Sequence, residues 1–534
     1  MTESTRRDFL KLTAALTAGA ALSAVTPALA RPRKAGNGQP NIIVLLFDAM
    51  SANNLSVYGY KRPTTPNLER FASRATVYHS HYSGGNFTSP GTGSMLTGLY
   101  PWRHRAINND SPVRRDLVAN NLFHRFGADF TRVGFAQNLW ADLFLRQFHD
   151  DIDMHLAPDA FVPNNDAPLP SKYFPNDPDI AYFALDTFPF TTRQVEKRRP
   201  GSLLWGYLDL IRNAERYNPD FATPKQYPNG QPYNGYFFYE HPNIFRGVDG
   251  LIASLREEEK PFFGYFHFFS PHSPYAPRRS FMGKFEPLPL PNSQKHPLAV
   301  MNISKKEAAE SRDLYDAFIA DLDSEFGQTL DFLEQTGALD DSYVIVTSDH
   351  GEMFGHGEIG HGSSLLYDPV IHIPLLISAP GQTERRDIQA RTSNLDFLPT
   401  LLSLAGKEST QGEGQLLPGF GGEENDNRSV YSMVAKNTAQ SAPFKTGSVC
   451  LMKGEYKLIH YFGHPGFEDS SEMYSLASDP EEKRDIYAPD FPEARRLQDE
   501  LLDALDSANQ EIKNRTSQES ESSTFGTPLA RLPK

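Results

Sequence analysis

At 534 residues the chain is long enough for one large core and a smaller one beside it. Apolar residues make up 39% and charged residues 22%, which excludes a disordered or fibrous protein, and a net charge of -14 without a basic cluster argues against a nucleic-acid partner. Cys450 is the only cysteine, so no intramolecular disulfide can form.

The first thirty residues stand apart. Arg6-Arg7-Asp8-Phe9-Leu10-Lys11 is a twin-arginine pattern, followed by a mildly apolar run from Leu12 to Val25 and a small-residue end, Ala28-Leu29-Ala30. The run is shorter than the roughly 20 residues that span a bilayer, so residues 1–30 read as an export signal rather than a stable membrane anchor, with the twin-arginine machinery as a partner. The implied destination is the periplasm or the exterior. A linker, 31–40, precedes the folded part.

Asn41 to Phe47 is short and continuously apolar, the pattern of a strand buried on both faces, and it stops at Asp48. Pro261 to Phe268 is a second such run and leads into the loop carrying His272. Tyr343 to Ser348 is a third and stops at Asp349-His350. Between them Glu307 to Gln335 has apolar residues at helical spacing. Strands alternating with helices predict an α/β fold with a mainly parallel central sheet sandwiched by helices, and ligands in such sheets bind at the carboxyl ends of the strands. The stretch 150–259, dense in Pro, Asn, Tyr and Phe, is expected to be an insertion at the rim of a catalytic domain spanning 41–427. From 428 to 506, short strand patterns at Val449–Met452 and Tyr456–Tyr461 and an amphipathic helix from Pro492 predict a small antiparallel sheet with a packed helix. Residues 507–534 are a polar tail expected to fray.

Asp349 and His350 offer a carboxylate and an imidazole to one cation, and Asp48 offers a second carboxylate from another strand end. Taken alone, Asp48 is as well explained as a helix or turn cap. Asn86-Phe87-Thr88-Ser89-Pro90 precedes a run of small residues ending Leu96-Thr97-Gly98. With Pro90 at the first helical position and Ser89 as N-cap, Thr88 falls at the mouth of a helix N-terminus, where the dipole and free N–H groups favour an alkoxide or bound oxyanion. An ordinary capped helix fits the segment equally well.

The order Asp48, then Thr88-Ser89-Pro90 through Leu96-Thr97-Gly98, then His272-Ser273-Pro274, then Ser348-Asp349-His350-Gly351-Glu352 resembles the sulfatase family of the alkaline-phosphatase superfamily. Thr65-Pro66-Asn67-Leu68, Gly360-His361, Asp396-Phe397-Leu398-Pro399-Thr400 and Glu472-Met473-Tyr474 extend the likeness. Two departures stand out. Family members carry Cys or Ser, converted to formylglycine, where this chain has Thr88, and the Arg of their signature is replaced by Thr92. The family's Gly-Lys-Trp-His-type segment is also missing, with Gly134 to Asn138 near its place. Formylglycine hydrate releases sulfate by re-forming a carbonyl, which a threonine ester cannot do. Thr88 instead resembles the nucleophile of lipoteichoic acid synthases and phosphoethanolamine transferases.

The resemblance implies a metal-dependent hydrolase or transferase acting on phosphodiesters or phosphonate esters through a Thr88 intermediate. Asp48, Thr88, Asp349 and His350 are the expected ligands of one divalent cation: calcium, magnesium or manganese, with zinc as an alternative. His361 and His272 are the expected catalytic partners of Thr88, and Asn86 and Asn138 are candidates for contacts to a small-molecule, glycan or lipid ester. Two alternatives stay open: a sulfuric ester hydrolase without formylglycine, and a metal-binding protein without turnover.

Overall fold

Along the run from 41 to 47 successive side chains point to opposite sides, and both sides are apolar. Ile43, Leu45 and Phe47 join one core cluster, whereas Ile42, Val44 and Leu46 join another. A strand of this kind is central, and its register has to be fixed by polar groups at its ends, because sliding it would keep every side chain in apolar surroundings. Asn41 supplies them at the amino end: its side chain donates to Ser342 Oγ at 3.3 Å and accepts from Phe262 N at 3.2 Å.

The protein is described as a computed structural model covering residues 39–163, 226–290, 295–299, 303–408 and 412–524, with isolated positions at 204, 208, 211 and 301. The export signal, nearly all of the linker, most of the insertion and the last ten residues lie outside the described residues. None of the described helices is long and apolar enough to cross a membrane.

The main sheet has eight strands: β1 (Asn41–Phe47), β2 (Thr76–Tyr78), β3 (Thr131–Ala136), β4 (Met154–Leu156), β5 (Phe262–Phe268), β6 (Ser342–Thr347), β7 (Leu375–Ser378) and β8 (Arg386–Ile388). Their order is β8-β2-β7-β6-β1-β5-β3-β4, and β7 alone runs against the others. The fold is therefore α/β with a mainly parallel sheet. The helices that flank it include α1 (Pro66–Ala72), α2 (Thr88–Thr97), α3 (Leu139–Gln147), α4 (His241–Arg256) and α5 (Lys305–Gln335). Helices α4 and α5 cover the face of Ile43, Leu45 and Phe47, and α2 and α3 cover the other. Each fully buried Leu, Ile or Phe here contributes roughly 1.5–3 kcal/mol. A capping box, Ser304 with Glu307, starts α5. The buried Asp323 of that helix caps α1 in turn, accepting from Asn67 N and Leu68 N at 2.8 and 2.9 Å.

A second sheet, β9 (Val430–Val434), β10 (Gly447–Lys453), β11 (Tyr456–Phe462) and β12 (Ser470–Ser475), is an antiparallel meander in sequence order. Helix α6 (Pro492–Thr524) packs on it through Leu497, Leu501 and Leu505. The polar stretch from 507, expected to fray, continues α6 to Thr524, with Ala508 and Ile512 still buried on the same stripe. The meander docks on the main domain through Met433 N, which donates to Gly84 O at 2.9 Å, and through the buried ion pair of Arg428 with Asp396 at 2.6 Å.

Candidate active site at the carboxyl edge of the sheet

Strands β1, β5, β6 and β3 end side by side, so the residues that terminate them share one edge. Asp48 follows β1, Asp349 and His350 follow β6, and Asn138 lies two residues beyond β3 as the N-cap of α3. His267 sits within β5, level with Leu46 and Ala136. Asp48, His267, Asp349 and His350 are completely buried. His267 Nε2 lies 3.2 Å from Asp48 Oδ2 and 3.9 Å from Asp349 Oδ2, and His350 Nε2 lies 3.3 Å from Asp48 Oδ1 and 3.7 Å from Asp349 Oδ2.

Thr88 reaches this group from a separate element. The helix begins two residues earlier than Pro90 suggests: extended Phe87 (φ -160°, ψ 171°) is the N-cap, Thr88 is the first helical residue, and Ser89 is inside the helix rather than its cap. The reason is that Phe87 O already accepts from Gly91 N at 3.1 Å, while Ser89 Oγ turns away to donate to Asn109 O. Thr88 Oγ1 accepts from Asn138 Nδ2 at 3.1 Å and lies 3.4 Å from His350 Nε2. The same Asn138 amide donates to Asp48 Oδ2 at 2.5 Å, and its Oδ1 accepts from Trp140 N, which fixes the orientation of the amide. Glycine is required at 91, because a Cβ there would lie 2.2 Å from Asp349 O. Ser83 Oγ donates to that same carbonyl at 2.5 Å, and Asn394 Nδ2 donates to Gly91 O at 2.9 Å.

His361 and His272 complete the cluster. Their ring centroids are 4.6 Å apart, and His361 is 4.3 Å from His350. His361 Nδ1 pairs with Glu352 Oε1 at 2.8 Å, and His272 Nδ1 donates to Ser273 O at 2.6 Å, so Nε2 is the free nitrogen of each ring. Asn86 is spent differently: its Nδ2 donates to Ser363 O and Leu365 O, holding the loop that follows His361.

Burial disfavours charge on Asp48, but His272, His267 and His350 outweigh it and hold its carboxyl well below the usual range. Burial and the charge of Asp48 push Asp349 up. Burial also opposes protonation of His350, yet Asp349 and Asp48 hold its imidazole up to about 9. His361 is held well below its ordinary value by burial and by His350. Burial raises Glu352 to about 7.

Two buried carboxylate oxygens, Asp48 Oδ1 and Asp349 Oδ2, have no hydrogen-bond partner. Buried anionic oxygens left this way are costly, and a cation resolves both at once. Ligand atoms of Asp48, His267 and Asp349 all lie within 4.8 Å of one another. His350 donates Nδ1–H to Gly351 O at 2.9 Å, the second contact that commonly orients a metal-binding imidazole. The donor set of carboxylates and imidazoles fits a divalent ion.

A profile described as "Sulfatase" matches residues 40–129 and 211–407, more than half of the chain. The chain belongs to the sulfatase family. A second profile, described as N-sulphoglucosamine sulphohydrolase, C-terminal, matches 357–511, and a twin-arginine translocation signal matches 3–23. This is an exported, sulfatase-family ester hydrolase, destined for the periplasm or the exterior. Among curated relatives, the multifunctional alkaline phosphatase superfamily protein PehA of Trinickia caryophylli is 24% identical, over 78% of this chain and 86% of its own. Choline-sulfatase of Rhizobium meliloti is 23% identical over 83% and 81% respectively. The crystal structure of phosphonate monoester hydrolase of Agrobacterium radiobacter shares the fold at a TM-score of 0.61, with 20% identity over 89% of this chain and 96% of that one.

Thr92 is fully buried and its Oγ1 has no partner. His267 and Glu352 complete the cluster, and neither is among the candidates drawn from the sequence. The signal for His267 is legible in retrospect, as the one imidazole in the run Phe262–Phe268.

Proposed function

We propose that this protein cleaves phosphodiesters or phosphonate esters through a covalent intermediate on Thr88. The proposed ligands of one divalent cation are Asp48, Thr88, Asp349 and His350, with His267 completing the carboxylate-imidazole cage. The observation that carries the reading is the Thr88 hydroxyl itself, fixed by Asn138 at 3.1 Å and lying 3.4 Å from His350 Nε2, beside two carboxylates with unpartnered oxygens. When bound, the cation would lower the pKa of that hydroxyl and offset charge on the non-bridging oxygens of the ester.

The chain's own residues supply the rest. Asn138 donates to Thr88 Oγ1 and so orients its lone pairs toward the ester. Thr88 Oγ forms a bond to phosphorus as the bond to the leaving oxygen breaks. His361, kept neutral by burial and by His350, is suited to take the Thr88 proton and return it to the leaving oxygen, with Glu352 holding its ring. His272 has its free Nε2 available to a non-bridging oxygen. Water, or an acceptor alcohol in a transfer reaction, then attacks phosphorus and frees Thr88.

Phosphorus is preferred over sulfur because a threonine ester has no internal route of release and must be resolved by attack at its central atom. The second reading is hydrolysis of sulfuric esters, favoured by the match of the C-terminal region to a sulphohydrolase profile. Intact-mass measurement after brief incubation with aryl phosphodiesters, phosphonate monoesters and sulfate esters separates the two. An adduct mapped to Thr88 with a phosphorus ester and absent in Thr88→Ala is expected. Turnover of sulfate esters alone, without an adduct, would sink the first reading.

A further inference from the structure

Lys436 lies two residues past the end of β9, and the docking of β9 on Gly84 carries it to the nucleophile loop. Its Nζ sits 4.2 Å from the centroid of the Phe87 ring, the residue before Thr88. On the other side is Gly362, the residue after His361: a Cβ there would come within 2.7 Å of Nζ. Gly362 N donates to Asn86 O at 2.9 Å, so both neighbours of this ammonium belong to segments tied to the reaction centre. Burial alone pushes Lys436 down to about 8, and no carboxylate among the described residues pairs with it. Beside it lies a cavity of about 510 Å³, lined further by Asn108, Asn109, Asp110, Asn437 and Thr438 and by none of the residues of the catalytic cluster. Its walls are joined: Asn108 Nδ2 donates to Thr438 O at 3.1 Å and Asn437 N donates to Asn108 Oδ1 at 2.6 Å.

We propose that Lys436 is a specificity-determining residue that binds a second anionic group of the substrate, carried by the leaving group and lodged in this cavity. A half-buried ammonium without an anion is unfavourable, and a substrate anion completes it. Asn109 and Thr438 offer side-chain hydrogen-bonding groups beside that anion, while Asn108 braces the wall. The inference rests on the reading of the Thr88 cluster as the centre where the ester is cleaved.

The test measures binding rather than turnover. Calorimetric titration of the full chain carrying Thr88→Ala compares phenyl methylphosphonate with 4-carboxyphenyl methylphosphonate, alone and combined with Lys436→Met or Lys436→Arg. The carboxylated probe is expected to bind more tightly to Thr88→Ala protein, and Lys436→Met to weaken it about tenfold to a hundredfold, as loss of a charge-assisted hydrogen bond does. Phenyl methylphosphonate should change less than about twofold, and Lys436→Arg should retain most of the preference. Equal weakening of both probes by Lys436→Met, or no preference for the carboxylate in the first place, would overturn the assignment. Should Thr88 form no adduct while the preference vanishes with Lys436→Met, the anion subsite stands and the covalent reading falls.

Discussion

A cation at the carboxyl edge of the sheet would compete with a proton, and the competition has a calculable size. Asp349 and Asp48 hold the His350 imidazole up to about 9, so at neutral pH its Nε2 is protonated and faces the two carboxylates that a cation would use. A metal ligand must be the neutral imidazole, so binding releases that proton and strengthens with pH until about 9. Between pH 6 and pH 8, both below that value, the apparent affinity should rise by about a hundredfold, or about 2.7 kcal/mol. For a chain of this length an unfolding entropy of about 1 kcal/mol per degree converts this into roughly 3 °C more cation-induced stabilisation at pH 8 than at pH 6. The raised carboxyl of Asp349 acts in the same direction, since a cation favours its charged form. Thermal unfolding with and without a fixed free concentration of calcium, magnesium, manganese or zinc, at each pH, reads the difference. Asp349→Asn should abolish the cation-induced shift at both values. A shift of the same size at pH 6 and pH 8, or its survival in Asp349→Asn, would refute the convergence of these groups on a cation.

Replacing His361 by Ala should cost about a hundredfold or more in kcat on esters with poor leaving groups and much less on activated aryl esters, the mark of a lost proton carrier; equal losses on both would remove His361 from that role. Gly91→Ala places a Cβ against Asp349 O and should destabilise the fold by about 1–3 kcal/mol and depress activity more than its loss of stability explains, read by thermal melts alongside kcat/KM. Asp249, buried between α4 and α5 with Thr329 Oγ1 donating to it at 2.9 Å, has its carboxyl pushed by burial up to about 7. Its folded value is raised, so its contribution to stability is full below the ordinary value of 3.8 and declines as pH rises toward about 7. Asp249→Asn should therefore be more stable than the parent at pH 8, by up to about 4 kcal/mol, with the difference gone only at or below about pH 4; parallel pH profiles would show that the carboxyl ionises freely.

The sheet was legible because its strands are apolar on both faces and end abruptly in polar residues. Asp48 and Asp349-His350 stand out for that reason, and so does the register device at Asn41 once the neighbouring strands are known. His267 was hidden by the same logic, since a single imidazole within an apolar strand is indistinguishable from a buried structural one until the adjacent strands deliver two carboxylates to it. Asn138 was visible as a turn residue, which it is, while its contact with Thr88 depends on β3 lying beyond β5 in the sheet, an order no local pattern encodes. The start of α2 differs by two residues at its cap because Pro90 tolerates the third helical position as well as the first when its missing N–H has no intrahelical role. Lys436 could not be found from the sequence at all, because its neighbours Phe87 and Gly362 are brought to it only by docking of the second sheet.

Five of the converging side chains need no separate positioning. Parallel strands deliver their carboxyl ends to one edge, so with β1 flanked by β5 and β6, and β3 next to β5, the residues 48, 138, 267, 349 and 350 meet once the sheet forms. Thr88 is the exception, since it arrives on a helix. Its placement is tied to the backbone of Asp349 itself, through the close approach of Gly91 and the hydrogen bond from Ser83 to the carbonyl. Asp349 thus turns its carboxylate toward the imidazoles and its carbonyl toward α2. A change that moves this residue displaces the proposed cation site and the hydroxyl together, which is why a substitution as small as a methyl group at position 91 should reach both, whereas loss of the Thr88 hydroxyl alone should leave cation binding largely in place.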